Sequence, residues 1–547
     1  MLATSLGHAG ILIETEHGSI VCDPWFTPTF FGSWFVFPRN DQLPAVLSAR
    51  IENADFLYIS HLHGDHFDET WLRFHLRRDI TVLVPGYPTR ELEGRLSSLG
   101  FTTILRTEDG VETDLGGGLR VAIHVETSIS DGPGGDSALM VSDGTARLVN
   151  QNDCRTSDLG ALRAHGPVDL HWLQYSGAIW YPMVYDETAE RMRTLVDAKV
   201  DSQFTRAMKY VEALDATAVV PSAGPPCFLD PDLFHLNWIT GDELTIFPDQ
   251  PTFIDRLATH GRTGIVAIPG TTIEVAGGVV TVSQPLPDAE VDAIFTDKAA
   301  YLRRYQTDWT PWLEAERARW HEPTPDLAAV IAAWWEPLLA MAPTLRAAVG
   351  ANCLLRIDEH EQIIDFPAGV VRAAAANAID TEPHAFRFDL PRPLVETVVA
   401  ERAIDWSNAL FLSCRFRAWR AGSFNEYVYN FFKSLSPERM RRAESEARRR
   451  LDPPDGHEEI RLGDWVMERA CPHRQADLSV FGEIDGDVLV CTLHGWRFDL
   501  ATGRCLTADD RKLRVRRADG EPLKSTPSRT EPSRTEPSRT EPSRTSR

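Results

Sequence analysis

The stretch CPHRQADLSVFGEIDGDVLVCTLHGW, residues 471–496, carries two short motifs that decide the fold of the C-terminal part of the chain. Each motif pairs a cysteine with a histidine: Cys471 with His473, and Cys491 with His494. Two thiolates and two imidazoles on two loops can hold a two-iron, two-sulfide cluster, in which the thiolates bind one iron and the imidazoles the other. A Cys₂His₂ zinc site is the alternative, although zinc ribbons and fingers usually have other spacings.

The residues around these ligands resemble the Rieske domains of aromatic-ring oxygenases and related oxygenases. The resemblance lies in CPHR (471–474) and CTLHGWRFD (491–499), where the glycine after the second histidine permits a tight turn. We expect EIDGDVLVC (483–491) and WRFDLATG (496–503) to form the hairpin beneath the cluster. The extra cysteines of respiratory Rieske proteins do not occur in these loops. The resemblance therefore implies the lower-potential oxygenase type, which passes one electron at a time.

A second metal-binding motif, HLHGDH, occupies residues 61–66 directly after the apolar segment FLYIS (56–60). Three imidazoles and a carboxylate within six residues at a strand end predict a metal site rather than a polar surface loop. Its candidate ligands are His61, His63, Asp65 and His66.

This N-terminal motif resembles the metallo-β-lactamase fold. GHAG (7–10) and the segment around Asp23 resemble the opening strands of that superfamily, and Asp153 follows ARLVN where the family places a bridging aspartate. The resemblance is incomplete, because the two further histidine ligands of the family are not found. Ser128 or Asp131 is nearest to one position and Ser222 takes the other, while His124 alternates along a strand and is predicted to be a core residue. A site of histidines and carboxylates with open positions suits iron and oxygen better than structural zinc.

The 547 residues divide into four predicted regions. Strands separated by turns and helices predict an α/β metallo-β-lactamase-like sandwich over residues 1–290. Helical patterns with a few strands predict a mainly helical α+β region over residues 291–451. A small all-β Rieske [2Fe-2S] domain follows over residues 455–517. Residues 518–547 are predicted to be a disordered tail, because the pentamer PSRTE repeats from Pro527 onwards and offers no apolar side chains to bury.

The overall composition limits the partners. The net charge of −23 argues against nucleic acid and anionic membranes as general partners, but not against an anionic small molecule. No run approaches the roughly 18 consecutive apolar residues that a membrane span needs. The N-terminus lacks the features of a secretory signal, and the eight cysteines do not suggest a disulfide framework, so we expect a cytoplasmic protein.

The two metal motifs together resemble the hydroxylases that convert the N-acetyl group of a nucleotide sugar to N-glycolyl. That family contains CMP-N-acetylneuraminate hydroxylase and the actinobacterial UDP-N-acetylmuramate hydroxylases, and the order of the regions resembles the latter. The resemblance implies a monooxygenase acting on UDP-N-acetylmuramate for peptidoglycan synthesis. It implies O₂ as co-substrate, with electrons from a separate NAD(P)H-dependent reductase or ferredoxin-type carrier. No convincing GxGxxG motif follows a strand here, and the oligomeric state stays open.

Basic and aromatic residues are candidates for holding the substrate. Arg206 and Lys209 are one helical turn apart in FTRAMKYVEAL, and Tyr175 is a candidate for stacking on the base. The alternatives are a salt-bridged helix face for the two cations and core packing for the tyrosine. Further candidates are Trp180, Tyr181, Arg415, Arg417 and Arg420.

Three rival functions fit the sequence. The first is a zinc hydrolase with the Rieske domain as a redox sensor. The second is an electron carrier whose N-terminal region only binds a partner. The third keeps the hydroxylation but changes the substrate to CMP-N-acetylneuraminate or a secondary metabolite.

Overall fold

The computed structural model describes residues 1–127, 135–177, 179–238, 246–320, 324–375, 377–451, 458–508 and 511–518. Several sequence-based expectations lie outside these residues. They concern Ser128, Asp131 and the PSRTE tail at 518–547, of which only residue 518 is described.

The N-terminal region contains two large sheets. Its strands are β1 (Leu2–Gly7), β2 (Gly10–Thr15), β3 (Gly18–Cys22), β4 (Phe35–Val36), β5 (Phe56–Tyr58), β6 (Thr81–Val84), β7 (Ile104–Arg106), β8 (Thr113–Gly116), β9 (Leu119–Glu126), β10 (Asp136–Ser142), β11 (Arg147–Asn152), β12 (Leu170–Gln174), β13 (Ala218–Ser222), β14 (Pro226–Cys227), β15 (Thr272–Ala276) and β16 (Val279–Ser283). The first sheet has the order β16-β15-β1-β2-β3-β5-β6-β7, and the second has the order β13-β12-β11-β10-β9-β8. β4 and β14 form a separate two-stranded sheet.

The helices of this region cover the sheets from outside. They are α1 (Ala45–Glu52), α2 (Glu69–His75), α3 (Glu91–Ser98), α4 (Leu159–Arg163), α5 (Ala189–Leu214), α6 (Gln250–Thr259), α7 (Asp288–Thr296) and α8 (Lys298–Arg317), with a 3₁₀ turn at Phe234–Asn237.

Alternation along β2 explains the layering. Ile11 and Ile13 face the second sheet, whereas Leu12 packs under α1, α2 and α3. Successive strand residues point to opposite faces, so a strand that is apolar at every position must be covered on both faces. The result is two sheets packed face to face between helices, which confirms the predicted metallo-β-lactamase-like sandwich.

The middle region combines helices with a five-stranded sheet, which is more strand than the sequence pattern indicates. Its helices are α9 (Leu327–Met341), α10 (Pro343–Val349), α11 (Ala378–Thr381), α12 (Arg392–Ala400), α13 (Glu426–Phe432) and α14 (Pro437–Leu451). Its strands are β17 (Asn352–Ile357), β18 (His360–Asp365), β19 (Val370–Ala373), β20 (Phe386–Leu390) and β21 (Arg417–Arg420), in the order β19-β18-β17-β20-β21.

Aromatic packing fills the core of this region. Trp335 on α9 is fully buried and meets Trp406, Phe431 and Phe432 edge-on. No single helix in the described ranges has the length and apolar character to cross a membrane. The bent pair α9 and α10 passes that test only by length and composition, with a 102° bend between the helices.

The C-terminal region consists of two three-stranded antiparallel sheets. Its elements are β22 (Glu459–Leu462), β23 (Trp465–Glu468), α15 (Leu478–Phe481), β24 (Gly482–Asp485), β25 (Val488–Cys491), β26 (Trp496–Asp499) and β27 (Val515–Arg517). β22, β23 and β27 form one sheet, and β24, β25 and β26 form the other. Cys471 and His473 lie in the loop after β23, whereas Cys491 ends β25 and His494 lies in the turn between β25 and β26, which form the predicted hairpin.

The C-terminal region packs directly on the N-terminal sandwich. One core cluster contains Phe204 and Tyr210 of α5 together with Phe481 and Leu493 of the C-terminal region. The Tyr210 and Phe481 rings are 6.0 Å apart. Helix α5 therefore joins the N-terminal region to the C-terminal region, including the turn that contains Leu493.

Candidate metal centres and the cavity between them

A cavity of about 440 Å³ lies where the three regions meet. Residues from both metal motifs line it: His63, Asp65 and Asp153 from the N-terminal region, and His473 and His494 from the C-terminal region. Two motifs more than 400 residues apart in the sequence thus face one cavity.

The N-terminal motif sits at the end of β5, where a buried aspartate from β3's end orients its side chains. Asp23 accepts hydrogen bonds from the Ser60 backbone N–H (2.7 Å) and the Ser60 hydroxyl (2.6 Å). Asp23 Oδ2 also lies 3.0 Å from His66 Nδ1. A carboxylate on the far ring nitrogen fixes the tautomer and directs the other nitrogen to a metal, as is usual around metal-bound histidine. His66 Nε2 is therefore the atom presented to the site.

Two overlapping sets of ligand atoms converge around His66. One set is His8, Asp65 and His66, and the other is His61, His66 and Asp153; within each set the atoms lie within 4.8 Å of one another. His66 Nε2, His63 Nε2 and Asp153 Oδ1 are buried without a hydrogen-bond partner in the described structure. Buried polar atoms are rarely left so, and a metal ion would satisfy His66 Nε2 and Asp153 Oδ1, whereas His63 belongs to neither ligand set. The donor set therefore fits a metal ion.

The buried histidine and carboxylate groups of this site shift one another's pKa values. Burial lowers the pKa of His66, but the carboxylates Asp153, Asp65 and Asp23 outweigh burial and raise that pKa to about 10. Burial raises the pKa of Asp65, but the neighbouring histidines outweigh it and hold that pKa well below its usual range. Burial raises the pKa of Asp153. Without a cation, the carboxylates hold a proton on His66, where a divalent metal would take its place.

The structure brings two residues to this site that the sequence patterns did not assign as ligands. His8 Nε2 lies 3.0 Å from Asp65 Oδ2, and Asp136 Oδ1 lies 3.2 Å from His61 Nδ1. His8 lies in the quoted GHAG motif, and its φ of +52° marks a tight turn between β1 and β2. Asp136 opens β10, next to the strand that ends before Asp153. Because β10 and β11 pair antiparallel, Asp136 and Asp153 lie at the same end of neighbouring strands.

The other positions considered for ligands lie elsewhere. His124 is buried in β9 with its Nε2 3.0 Å from that of His165, away from the cluster. Ser222 ends β13, and its hydroxyl is buried.

The C-terminal motifs place two buried thiols and two imidazoles together. Cys471 and Cys491 are both buried, and a hydrogen bond joins their thiols, which lowers the pKa of Cys491. The His473 and His494 rings are 4.9 Å apart at 86°. His494 Nδ1 is buried without a hydrogen-bond partner among the described residues, so it is free to bind an iron. Gly495 has a φ of +73°, which confirms the tight turn after His494.

Surrounding residues hold the first histidine of this pair. His473 stacks on Trp496 at 4.0 Å, and its Nε2 lies 3.5 Å from Glu426 Oε2. Glu426 also accepts hydrogen bonds from Arg450 (2.8 Å) and Arg511. With Nε2 turned to a carboxylate, Nδ1 is the nitrogen that His473 presents to a cluster.

The predicted substrate residues separate into two groups. Arg206 lines the cavity, but Lys209 pairs with Glu483 at 2.5 Å outside it. Tyr175 is fully buried between Phe204 and Phe253, contrary to the expectation that it stacks on a base. Arg206 and Lys209 differ because the two residues, three positions apart on α5, face different neighbours, the cavity and Glu483.

The further basic and aromatic candidates also divide. Trp180, Tyr181 and Arg420 line the cavity, with the Arg420 guanidinium 5.2 Å above the Tyr181 ring. Arg415 pairs with Asp230, and Arg417 pairs with Asp186.

Basic side chains outnumber the four carboxylates that line the cavity, which are Asp65, Asp136, Asp153 and Glu426. Six basic side chains line it: Arg155, Lys199, Arg206, Arg420, Lys433 and Arg474. Such a lining attracts an anionic ligand despite the net charge of −23, because a ligand responds to the local field.

Family comparisons match two parts of the chain. Residues 456–517 match the Rieske [2Fe-2S] domain, and residues 327–449 match the Rv3818-like, SCP2-like domain. The predicted Rieske cofactor type is thereby confirmed.

Two mycobacterial proteins are similar to this chain over nearly all of it. The Rieske 2Fe-2S iron-sulfur protein Rv3818 of Mycobacterium tuberculosis is 43% identical over 525 residues, covering 94% of this chain and 100% of that protein. A Rieske 2Fe-2S iron-sulfur protein of Mycolicibacterium smegmatis is 42% identical over 529 residues, with the same coverage.

More distant similarity reaches two other proteins. Cytidine monophosphate-N-acetylneuraminic acid hydroxylase of Danio rerio is 31% identical over 193 residues, covering 33% of this chain and 30% of that protein. The solved structure of CmlA, a diiron β-hydroxylase from Streptomyces venezuelae, is 18% identical with a TM-score of 0.34, covering 50% of this chain and 54% of that one.

Proposed function

Because this chain belongs to the family of Rieske 2Fe-2S iron-sulfur proteins that includes mycobacterial Rv3818, we propose that it is an O₂-dependent hydroxylase of a nucleotide sugar. The proposed reaction converts the N-acetyl group of UDP-N-acetylmuramate to N-glycolyl. The observation that carries the proposal is that one cavity is lined by residues of both metal motifs and by six basic side chains.

The two ligand sets supply complementary chemistry. A cluster held by Cys471, His473, Cys491 and His494 passes single electrons. A redox-active metal held by His61, His63, Asp65, His66 and Asp153 would supply O₂ activation, and its carboxylates favour iron over zinc. Asp136 and His8 complete the surroundings of this proposed centre.

The reaction balances with external electrons. One oxygen atom of O₂ enters a C–H bond of the acetyl methyl group, and the other leaves as water with two protons and two electrons. The electrons would come from an NAD(P)H-dependent reductase or a ferredoxin-type carrier, and a cluster held by Cys471, His473, Cys491 and His494 would supply single-electron transfer. Both sites face one cavity, so the electrons need not leave the protein between them.

The cavity lining supports an anionic nucleotide sugar. UDP-N-acetylmuramate carries a diphosphate and a carboxylate, and six basic side chains offer partners for these groups. The aromatic side chains Trp180, Tyr181 and Tyr429 in the same lining suit a nucleobase, because planar rings stack on one another. The similarity to a CMP-N-acetylneuraminic acid hydroxylase over a third of the chain supports the same reaction class.

Mass spectrometry tests the proposal. The iron-reconstituted protein is incubated with O₂, an electron donor and UDP-N-acetylmuramate, and we expect a gain of one oxygen atom on the N-acyl group. CMP-N-acetylneuraminate in a parallel reaction tests the alternative substrate. Absence of the oxygen gain on both nucleotide sugars would contradict the proposal, and O₂-independent hydrolysis would favour a zinc hydrolase.

A further inference from the structure

The two histidines of the Rieske motif lie in different electrostatic surroundings. His473 faces a carboxylate, because its Nε2 lies 3.5 Å from Glu426 Oε2 and both side chains are buried. Burial lowers the pKa of His494, and neighbouring positive charges lower it further, namely those of Arg474, His473, Arg155 and Arg206. A buried carboxylate thus acts on one histidine of the motif, and a group of cations acts on the other.

Glu426 divides its two carboxylate oxygens between different partners. Oε1 accepts hydrogen bonds from Arg450 of α14 (2.8 Å) and from Arg511 of the C-terminal region. Oε2 is the oxygen that faces His473. The two arginines keep the carboxylate ionised and fix its rotation, because hydrogen bonds between charged groups are strong and directional. An ionised carboxylate oxygen only accepts hydrogen bonds, so Oε2 suits the N–H of an imidazole.

Aromatic packing holds the face of the same imidazole ring. The His473 ring stacks on Trp496, with 4.0 Å between the centroids and 13° between the planes. The Arg511 guanidinium lies 5.3 Å from the centroid of the Trp496 ring and also pairs with Glu426. Glu426 thus fixes the edge of the imidazole while Trp496 fixes its face. His473 cannot turn its Nε2 away without losing these contacts, so its Nδ1 stays directed at the cluster position.

The carboxylate affects the cluster's reduction potential in two ways that have the same sign. A carboxylate at the far nitrogen makes an imidazole a stronger electron donor to the metal, which favours the oxidised iron. Negative charge nearby also opposes the arrival of an electron, because reduction makes the cluster more negative. Glu426 therefore lowers the potential. Arg450 and Arg511 act in the opposite direction, because positive charge favours the reduced state.

We infer that Glu426 is a positioning residue for the Rieske cluster, which orients His473 and lowers the reduction potential of the cluster. Glu426 opens α13, so the inference gives the middle region a part in electron transfer. Tyr429 and Asn430 line the cavity three and four positions further along the same helix face. The inference concerns the cluster alone, and it holds whether the protein hydroxylates a nucleotide sugar or only carries electrons.

Redox titration of the full chain with its cluster tests the inference. The midpoint potential is measured at constant pH from the absorption of the cluster. Glu426→Gln replaces the carboxylate with a neutral amide of similar shape. We expect the potential to rise, by about tenfold in the equilibrium constant for one-electron reduction or about 59 mV. Glu446→Gln is the matched control, because Glu446 pairs with the same Arg450 from within α14, and it should shift the potential much less.

Arg450→Gln provides an arm with the opposite sign. It removes one arginine from Glu426 Oε1, so the carboxylate is less compensated and the potential should fall. A general disturbance of the fold would move both variants in the same direction, whereas electrostatic tuning moves them apart. If Glu426→Gln does not hold a cluster, the sign of the shift in Arg450→Gln decides.

Three results would overturn the inference. They are a wild-type potential in Glu426→Gln, an equal rise in Glu446→Gln, and a potential in Arg450→Gln that does not fall. None of these measurements uses the sugar substrate or O₂. Failure of the proposed hydroxylation therefore leaves the inference standing, and failure of the inference leaves the hydroxylation standing.

Discussion

Asp23 is the residue on which the geometry of the N-terminal site depends most directly. It is fully buried and accepts hydrogen bonds from Ser60 while holding His66 Nδ1 at 3.0 Å. Carboxylates that orient metal-bound histidines typically contribute 10–100-fold to metal affinity. We therefore expect Asp23→Ala to weaken metal binding at this site by about that factor, as measured by competition with a chelator.

The [2Fe–2S] absorption spectrum should be unchanged in Asp23→Ala, because the cluster ligands lie in a different region. Asp55→Ala is the matched control: Asp55 accepts hydrogen bonds from Ser19 on the same sheet but lies at the surface. Unaltered metal content in Asp23→Ala would show that the ligand set is not organised through His66.

Lys199 predicts a pH dependence for anion binding. Its pKa of about 7, below the usual value for lysine, means that the ammonium is charged below pH 7 and loses its proton above it. An anion favours the charged form, so binding above pH 7 takes up a proton and the affinity falls as the pH rises. Arg155 and Arg206 are the charged groups acting on it, and they stay protonated.

Calorimetry with UDP between pH 6 and 9 measures this dependence. We expect an affinity nearly constant below pH 7 that falls by up to about tenfold per pH unit above it. The phosphate oxygens of UDP lose their last proton near pH 6, so their own titration does not explain a loss at higher pH. Lys199→Arg should bind independently of pH across this range, and a wild-type affinity flat from pH 7 to 9 would contradict the prediction.

At the scale of elements, α13 joins two regions through its first residue. Asn425 caps the helix by accepting from Tyr427 N–H at 3.0 Å, and Glu426 then contacts Arg450 of α14, Arg511 and His473. Removing one partner of a buried ion pair commonly costs about 3–5 kcal/mol, because the remaining charge stays buried. We expect Glu426→Ala to lower the free energy of unfolding by about that amount, as measured by denaturant titration.

Glu446→Ala is the control for Glu426→Ala, because Glu446 pairs with the same Arg450 from within α14 itself. We expect a smaller loss of stability in this variant, since an ion pair four residues apart on a helix contributes only a few tenths of a kcal/mol. Equal losses in the two variants would show that Glu426 does not link the regions.

The helix α5 shows where sequence patterns stop being informative about a site. The structure has this helix over Ala189–Leu214, so the helical spacing assumed for Arg206 and Lys209 is correct. The separate roles of Arg206 and Lys209 do not follow from that spacing, because Arg206 faces the cavity and Lys209 faces Glu483. Spacing along a helix states which side chains are close, but the partner surfaces that decide their roles come from other regions.

At the scale of the whole molecule, the sequence shows the two local metal motifs but does not show that they line one cavity. The HLHGDH and cysteine–histidine motifs are contiguous, so their residue types and spacing identify them before any folding is known. His8 lies in the turn after β1 and Asp136 opens β10 of the other sheet, so they join Asp65 and His61 only when both sheets have formed, and no spacing rule finds them. The five-stranded sheet of the middle region was underestimated, because β17 and β20 pair across about 30 residues that include helix α11.

The shared cavity predicts that electrons pass between the two sites within one molecule. The loop that follows His494 packs on α5, where a Cβ at Gly495 would lie 3.2 Å from Ser202 Oγ, so the Rieske motif is held against the sandwich. In the test, the cluster is reduced in the absence of a reductase, and the protein is then mixed with O₂ and UDP-N-acetylmuramate. The rate at which the cluster is reoxidised should depend on the N-terminal site. We expect His61→Ala to slow substrate-dependent reoxidation by about tenfold or more, since loss of a ligand weakens metal binding at least as much as loss of its hydrogen-bonded partner.

Stopped-flow absorption at the cluster bands measures this reoxidation, and quenched samples report the hydroxylated product. His61→Ala should still assemble and reduce the cluster, whereas Cys471→Ser should lack it and retain metal in the N-terminal site. Each cluster delivers one electron and each hydroxylation uses two, so product should not exceed half a molecule per cluster when the cluster is the only electron source. Wild-type reoxidation rates in His61→Ala would instead show that the electrons leave to another acceptor, which is the behaviour of an electron carrier rather than of a hydroxylase.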